Sequence, residues 1–181
     1  MKKMKRLLAI LILLVIVLLV WKHISVNRMR SPDDFIPLIQ RTLRTEAPLT
    51  VLGDYDNNLN DTRLLLCYTT DFRGRADFYA VRLEKGWLQY QCHIMPSLVE
   101  RGPDLYHVMW GNGYVLISDN PEAAYLELKS PTPAGETVQI PVTSVPFAYY
   151  WDWSAEPWLT DATSYSYEYL FYNHAGEPLE N

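Results

Sequence analysis

Residues 106–118 read Tyr-His-Val-Met-Trp-Gly-Asn-Gly-Tyr-Val-Leu-Ile-Ser, two runs of strand-forming residues around a Gly-Asn-Gly turn. Asn-Gly between two such runs is a strong short-range signal for a β-hairpin, because both residues tolerate the positive φ of a tight turn. The segment therefore predicts two antiparallel strands, at 106–110 and 114–118, and an antiparallel β fold for this part of the chain.

Further strand-like runs flank the hairpin on both sides. We predict strands at 50–55, 63–70, 77–84, 87–94, 125–129, 136–142, 147–153 and 165–172. A tight turn at Lys85-Gly86 makes residues 63–94 a simple meander of neighbouring strands. The prolines and glycine of 95–104 indicate a boundary between two lobes. Short strands with frequent turns after this boundary are typical of a small β-sandwich.

A short amphipathic helix is predicted ahead of the strands, at about 35–45. Ser31 and Asp34 are both candidates for the N-cap of this helix. If Ser31 is the N-cap, Pro37 falls inside the helix and clashes with the preceding turn. If Asp34 is the N-cap, Pro37 falls in the first turn, where its missing N–H is not needed. We therefore expect the helix to begin after Asp34.

Charge divides the chain into two unlike parts. Of its 16 basic and 21 acidic residues, seven basic residues and no acidic residue lie in the first 30 positions. The remaining 151 residues therefore hold 9 basic and 21 acidic residues, a net charge of −12. An acidic body of this kind excludes nucleic acid as the expected partner and disfavours other anionic partners.

The basic N-terminus leads into an uncharged run, residues 7–21, in which 13 of 15 residues are Leu, Ile or Val. We expect residues 4–26 to form a single-pass membrane anchor, with Trp21 at the membrane–water interface. A cleaved signal peptide is the alternative, although no Ala-x-Ala-like site follows the run. The expected location is the cell membrane, with the N-terminus cytoplasmic and the C-terminal domain extracytoplasmic.

These observations together predict a mainly β (α+β) protein in three parts. Residues 1–30 form the basic N-terminus and transmembrane signal-anchor, and residues 31–104 form the short helix with an antiparallel sheet. Residues 105–181 form the β-sandwich-like lobe. The length and the hydrophobic content of 49% are sufficient for a packed core.

The two cysteines, Cys67 and Cys92, leave two alternatives open. A disulfide between them would persist outside the cytoplasm and would stabilise the fold by about 3 kcal/mol in the chain-entropy model. The predicted meander, however, places their strands two positions apart, about 9.6 Å, and disulfide Cα atoms lie within about 7 Å of each other. Two free thiols are the alternative.

The aromatic segment 147–161 is the strongest candidate ligand-binding region. Strand alternation places Phe147, Tyr149, Trp151 and Trp153 on one face, with Tyr150 and Asp152 on the other. Such a stripe is more often part of a core than a binding surface. The functional hypothesis is a surface on which a sugar or peptide stacks. The candidate ligand-binding residues are Tyr150, Trp151, Asp152, Trp153 and Trp158.

Catalytic and metal-binding motifs are weak in this sequence. Ser118-Asp119-Asn120 matches one short motif of penicillin-binding proteins, but its companion motifs are absent, so we interpret the match as chance. Asp54-x-Asp56-x-Asn58 begins like a calcium loop, but Leu59 and Leu65 occupy the positions that require Gly and Glu. We assign no catalytic residue, no metal ligand and no cofactor.

The sequence thus predicts a membrane-anchored extracytoplasmic β-rich domain that acts as a non-catalytic binding or accessory protein at the cell envelope. The partner would be an envelope protein, a peptide or a glycan. The alternative is a carbohydrate-active hydrolase or glycan-binding module, in which Asp152, Glu156 and Asp161 of the aromatic and acidic segment 147–161 supply the polar contacts.

Overall fold

The computed structural model of the chain describes residues 2–29, 31–57, 62–71, 74–95, 98–102, 104–129, 137–152 and 168–179. The helices are α1 (Lys2–Arg28), a one-turn 3-10 helix (Pro32–Phe35) and α2 (Ile36–Leu43). The strands are β1 (Thr50–Asn57), β2 (Thr62–Thr70), β3 (Ala76–Lys85), β4 (Tyr90–Ile94), β5 (Val99–Gly102), β6 (Leu105–Trp110), β7 (Gly113–Ser118), β8 (Tyr125–Lys129), β9 (Thr137–Pro141), β10 (Phe147–Asp152) and β11 (Glu168–Tyr172).

The strands form three antiparallel sheets, which confirms the mainly β prediction. The first sheet has the order β1-β2-β3-β4, so the predicted meander is confirmed. The middle sheet has the order β10-β7-β6-β5, and the third sheet has the order β11-β8-β9. The hairpin predicted at 106–118 is the pair β6 and β7, in which Trp110 lies opposite Gly113. Gly111 has a φ of +55° in the turn, a conformation that favours glycine.

The sheets stack in layers, with the 3-10 helix and α2 on the outside of the first sheet. The helix-side core joins these helices to the first sheet and consists of Phe35, Ile39, Leu49, Leu65, Cys67, Val81 and Leu83. Alternation along β2 turns Leu64 and Leu66 to the other face of the first sheet. That face packs on the middle sheet through the central core, which consists of Leu64, Leu66, Phe78, Ala80, Val108, Trp110, Val115 and Ile117.

The middle sheet is covered on both faces. Val115 and Ile117 of β7 face the central core, whereas Leu116 between them faces the third sheet. The distal core joins the middle and third sheets and consists of Leu105, Leu116, Ala123, Leu126, Leu128, Phe147, Trp151, Phe171 and Leu179. A strand covered on both faces needs apolar residues at consecutive positions, which explains the run Val115-Leu116-Ile117.

The start of the helical segment differs from the prediction. The N–H of Asp34 donates to the C=O of Ser31 over 3.0 Å, and the N–H of Ser31 donates back to Oδ2 of Asp34 over 2.9 Å. Ser31 therefore begins the segment, and a 3-10 turn precedes α2. Because the α-helix starts only at Ile36, Pro37 still falls in its first turn, where proline is tolerated.

The interval 95–104, which the sequence marks as a boundary, contains the strand β5. This strand pairs with β6, with Val99 opposite His107 and Glu100 opposite Tyr106. The local composition does not predict β5, because this strand has only four residues and lies among prolines and glycine. The first and middle sheets on either side of this interval also share the central core.

Helix α1 contains the uncharged run Leu7–Trp21, and nearly all of its described side chains in that run are exposed. Its C-terminal end meets the rest of the protein, because Val26 is buried and Met29 packs against the helix-side core. Among the described residues, no helix combines the length and the hydropathy required to cross a membrane. The membrane span predicted for residues 4–26 is therefore not supported by the structure.

Candidate functional site

An open cleft of about 1170 Å³ lies at one end of the first and middle sheets. The β2–β3 hairpin forms one wall. The other wall comes from the start of β6, the segment after β7 and the segment before β10. The side chains that define its chemistry are Tyr68, Thr70, Arg75, Asp104, Asp119 and Pro146. Concave sites with a few converging polar groups are the usual places for ligands to bind.

Asp119 connects the two walls of the cleft. Its backbone N–H donates to the C=O of Asp104 over 2.8 Å, and its Oδ2 accepts a hydrogen bond of 3.1 Å from the N–H of Ala76. Ala76 belongs to the first sheet, whereas Asp119 follows a strand of the middle sheet. The carboxylate is therefore held in place by backbone groups and not by a flexible side chain.

The pKa of Asp119 is raised above its usual value, mainly because burial removes water from the carboxylate. The negative charge of Asp104 raises this pKa further. The hydrogen bond from Ala76 and the positive charge of Arg75 act in the opposite direction and lower it. A positive charge beside Asp104 and Asp119 offsets the first two effects, as Arg75 does in part.

The residues after β7 form a turn that positions Asp119. The N–H of Asn120 donates to Oγ of Ser118 over 3.2 Å, and the N–H of Glu122 donates to Oδ1 of Asn120 over 2.9 Å. Ser118 is fully buried. Ser118-Asp119-Asn120 thus forms an ST-turn that carries a cleft carboxylate, and an Asx-turn at Asn120 follows it. Sequence reasoning noticed these residues only as a chance match to an enzyme motif.

The described members of the predicted ligand-binding set, Tyr150, Trp151 and Asp152, lie toward the end of β10 that is far from the cleft. Trp151 is only 2% exposed and packs in the distal core, so its ring faces are covered by protein. Tyr150 is half-buried, and its hydroxyl donates to the C=O of Trp110 over 3.2 Å. Its ring centroid lies 5.6 Å from that of Tyr55. Asp152 is half-buried opposite Gly113.

The structure thus brings Tyr150 and Asp152 to one end of the middle sheet, without an open row of aromatic rings among the described residues there. Trp153 and Trp158 lie outside the described residues, as do Glu156 and Asp161. Pro146 of the cleft precedes β10, and Asp152 ends it. At about 3.3 Å per residue, the six steps from Pro146 to Asp152 span about 20 Å.

Cys67 and Cys92 are both free thiols, so the disulfide alternative is not realised. They lie on β2 and β4, on either side of β3, and Cys67 is opposite Tyr79 whereas Cys92 is opposite Leu83. The two cysteines are therefore two strands apart and offset by four residues. Burial raises the pKa of Cys67 to about 12, and burial also raises the pKa of Cys92.

Two other polar groups outside the cleft have structural partners. Asp54 forms an ion pair with the guanidinium of Arg63 on the neighbouring strand. The rest of the calcium-like loop, 58–61, lies outside the described residues. His107 is buried, and its Nδ1 lies 2.9 Å from the hydroxyl of Tyr169. That contact joins the middle and third sheets.

Within the described part of the chain, no three His, Cys, Asp or Glu side chains are placed to hold a metal ion. Comparisons with protein-family models, with curated proteins and with solved structures give no match to this chain.

Proposed function

We propose that this chain is a membrane-anchored binding protein whose β-rich body lies on the extracytoplasmic side of the cell membrane. The observation that carries the proposal is the exposure of the described side chains of α1. Between Leu7 and Trp21 the large apolar side chains other than Leu19 are 50–68% exposed, around the whole helix. A soluble helix usually has a polar face, and a contiguous apolar surface of this size marks a contact with a membrane or a protein.

The length of the uncharged run sets how the helix would sit in a bilayer. Fifteen residues rise about 22 Å, which is less than a hydrocarbon core of about 30 Å. The helix itself continues to Arg28. Lys22 and His23 can extend their polar ends toward the headgroups, and the bilayer can thin locally at modest cost. In the proposed arrangement, the part of α1 that lies in lipid therefore begins close to Leu7 and ends close to His23.

The direction of insertion follows from charge and from the size of the body. Four basic residues precede the uncharged run and three follow it, so the positive-inside bias is small. Long domains are translocated largely regardless of their charge. We therefore place the N-terminus in the cytoplasm and the body outside.

A pair of reporter fusions at the C-terminus tests this location. Alkaline phosphatase, which is active only outside the cytoplasm, should be active when fused to Asn181. A fluorescent protein that matures only in the cytoplasm should stay dark at the same position. The reverse pattern would contradict the orientation. An N-terminally trimmed protein in the culture medium would instead favour the cleaved signal peptide.

The binding role is proposed for the cleft. Asp104 and Asp119 present carboxylates there, and the body as a whole carries a net charge of −12. Both features favour a partner with a positive charge, because the field of the body attracts it and the cleft carboxylates pair with it. A peptide segment with a lysine or a free amino group has this chemistry.

Titration of the full chain in detergent with a lysine-containing tripeptide tests the binding role, with the amide signal of Ala76 as the readout. We expect Asp119→Asn to weaken binding by about tenfold, which corresponds to about 1.4 kcal/mol. Asp33→Asn is the matched control, since Asp33 is an exposed acid on the 3-10 helix. Equal affinity for a glutamate-containing tripeptide, or equal effects of the two variants, would contradict the proposal.

A further inference from the structure

The turn between β3 and β4 carries an exposed tryptophan beside the end of α1. Trp87 is 65% exposed. The C=O of Trp87 accepts a hydrogen bond of 3.1 Å from Nδ1 of His23. The ring centroids of the two residues are 5.8 Å apart. Since 64 positions separate these residues in sequence, the contact fixes a body turn against α1.

The contact with His23 fixes where this turn lies along the axis of α1. His23 follows Trp21 by two residues, which is a rise of about 3 Å. Trp21 is itself 68% exposed, immediately after the last aliphatic residue of the uncharged run. If the run is buried in lipid, then Trp21, His23 and Trp87 all lie near one level of the membrane–water interface. Tryptophan is enriched at that level because its ring is apolar and its N–H is polar.

On this basis, and resting on the proposed membrane insertion of α1, we infer that Trp87 inserts into the interface of the same bilayer. The β3–β4 turn, at the strand ends of the first sheet, is thus a second membrane contact. The occupant of this exposed surface is the bilayer because α1 leads directly into it.

Local charge is compatible with a lipid surface although the body is acidic. Lys85 precedes the turn and is exposed, and Lys22 lies next to His23 on the helix. Glu84 is held in an ion pair of 2.6 Å with Arg82 on the same strand. Basic residues near anionic headgroups contribute about 1 kcal/mol each. The charges named here therefore favour contact with anionic lipid.

Depth-dependent quenching tests the inference on the full chain in vesicles of phosphatidylcholine and phosphatidylglycerol. One environment-sensitive fluorophore is attached to a cysteine introduced by Trp87→Cys, Val17→Cys or Met109→Cys, each in a Cys92→Ser background. Cys67 stays unlabelled at neutral pH, because it is buried and its pKa is raised to about 12. Trp87 and Met109 are both exposed, so their replacement leaves the cores intact. Met109 is the matched control, since Val108 and Trp110 face the first sheet and Met109 between them lies on the opposite face of the middle sheet.

We expect lipids brominated near the headgroup to quench the label at position 87 about threefold more than the label at 109, as an interfacial position requires. Lipids brominated deep in the chains should quench the label at 17. Quenching at 17 without quenching at 87 would overturn the second contact and leave the proposed anchor standing. No quenching at 17 by either lipid would overturn the anchor itself, and with it the inference.

Discussion

On the proposed insertion of α1 in a bilayer, a single arginine at the centre of this helix should weaken the attachment of the protein to the membrane. Leu14 is the eighth of the 15 uncharged residues and is 60% exposed. On the insertion scale leucine contributes about −0.3 to −0.6 kcal/mol and a central arginine about +2.5 to +3.5, so Leu14→Arg costs about 3–4 kcal/mol. The 13 aliphatic residues together contribute only about −4 to −8 kcal/mol. The substitution therefore removes between about 40% and all of the driving force.

Resistance to alkaline carbonate extraction is the measurement, with flotation of the same membranes as a second readout. Leu7→Arg is the matched control, because it places the same charge at the end of the uncharged run, where an arginine can reach the headgroups. We expect the wild type and Leu7→Arg to remain with the membrane and Leu14→Arg to be extracted.

The folded state of the body provides the internal check. Leu14 belongs to none of the three cores, so Leu14→Arg should leave the protection of the Cys67 thiol unchanged. If Leu14→Arg resists extraction to the same extent as Leu7→Arg, and the body is folded, the helix is not buried in lipid. That result would refute the reasoning from exposed apolar side chains.

Three further predictions concern the body. Cys67 should resist thiol reagents at neutral pH. Its ionisation should lower the free energy of unfolding by about 4 kcal/mol between pH 9 and pH 12, because the unfolded thiol ionises near 9.0 and the folded one near 12. Cys67→Ala should make the alkaline slope shallower by this amount, and an unchanged slope would contradict the prediction. Leu116→Ala and Ile117→Ala should each lower the free energy of unfolding, measured by urea denaturation, by about 2–5 kcal/mol, since each residue is fully buried in a different core. A loss below about 1 kcal/mol for either variant would show that the corresponding face of the middle sheet is not covered. The raised pKa of Asp119 means that the folded state keeps this proton to higher pH than the unfolded state, so the contribution of Asp119 to stability should fall as pH rises above about 4, and Asp119→Asn should remove that contribution.

Local structure was largely predictable because strand-forming runs alternate with turn residues. The glycine-asparagine turn between β6 and β7 and the meander of β2, β3 and β4 both follow from neighbouring residues alone. The start of the helical segment was not predictable, because a 3-10 turn lets Ser31 begin the segment without placing Pro37 inside an α-helix. Such a turn depends on packing of Phe35 in the helix-side core, which the local pattern does not specify.

The assignment of strands to sheets was not predictable for a different reason. β10 joins the middle sheet by pairing Phe147 with Ser118, although two strands of the third sheet lie between them in sequence. Alternation correctly divides β10 into two faces, but both faces are covered in the stack. Trp151 therefore lies in a core, and only the three-dimensional arrangement decides this.

The cleft depends on the same long-range arrangement. The hydrogen bond between Ala76 and Asp119 crosses 43 positions and joins two sheets. A sequence signal did exist, since the Asn120 turn is rich in residues that cap their own backbone. That signal predicts a turn but cannot predict which other loop lies beside it.

The return of β10 to the middle sheet has a consequence for the order in which the protein folds during synthesis. The first sheet is complete once residue 94 has left the ribosome, because its four strands are consecutive in the chain. The middle sheet must wait for Asp152, and by then β8 and β9 have already been made. We therefore expect the first sheet and its helices to form one cooperative unit, with the middle and third sheets forming together as a later one. Until then the central-core face of the first sheet has no partner, and a chaperone or a stalled chain would encounter it in that state.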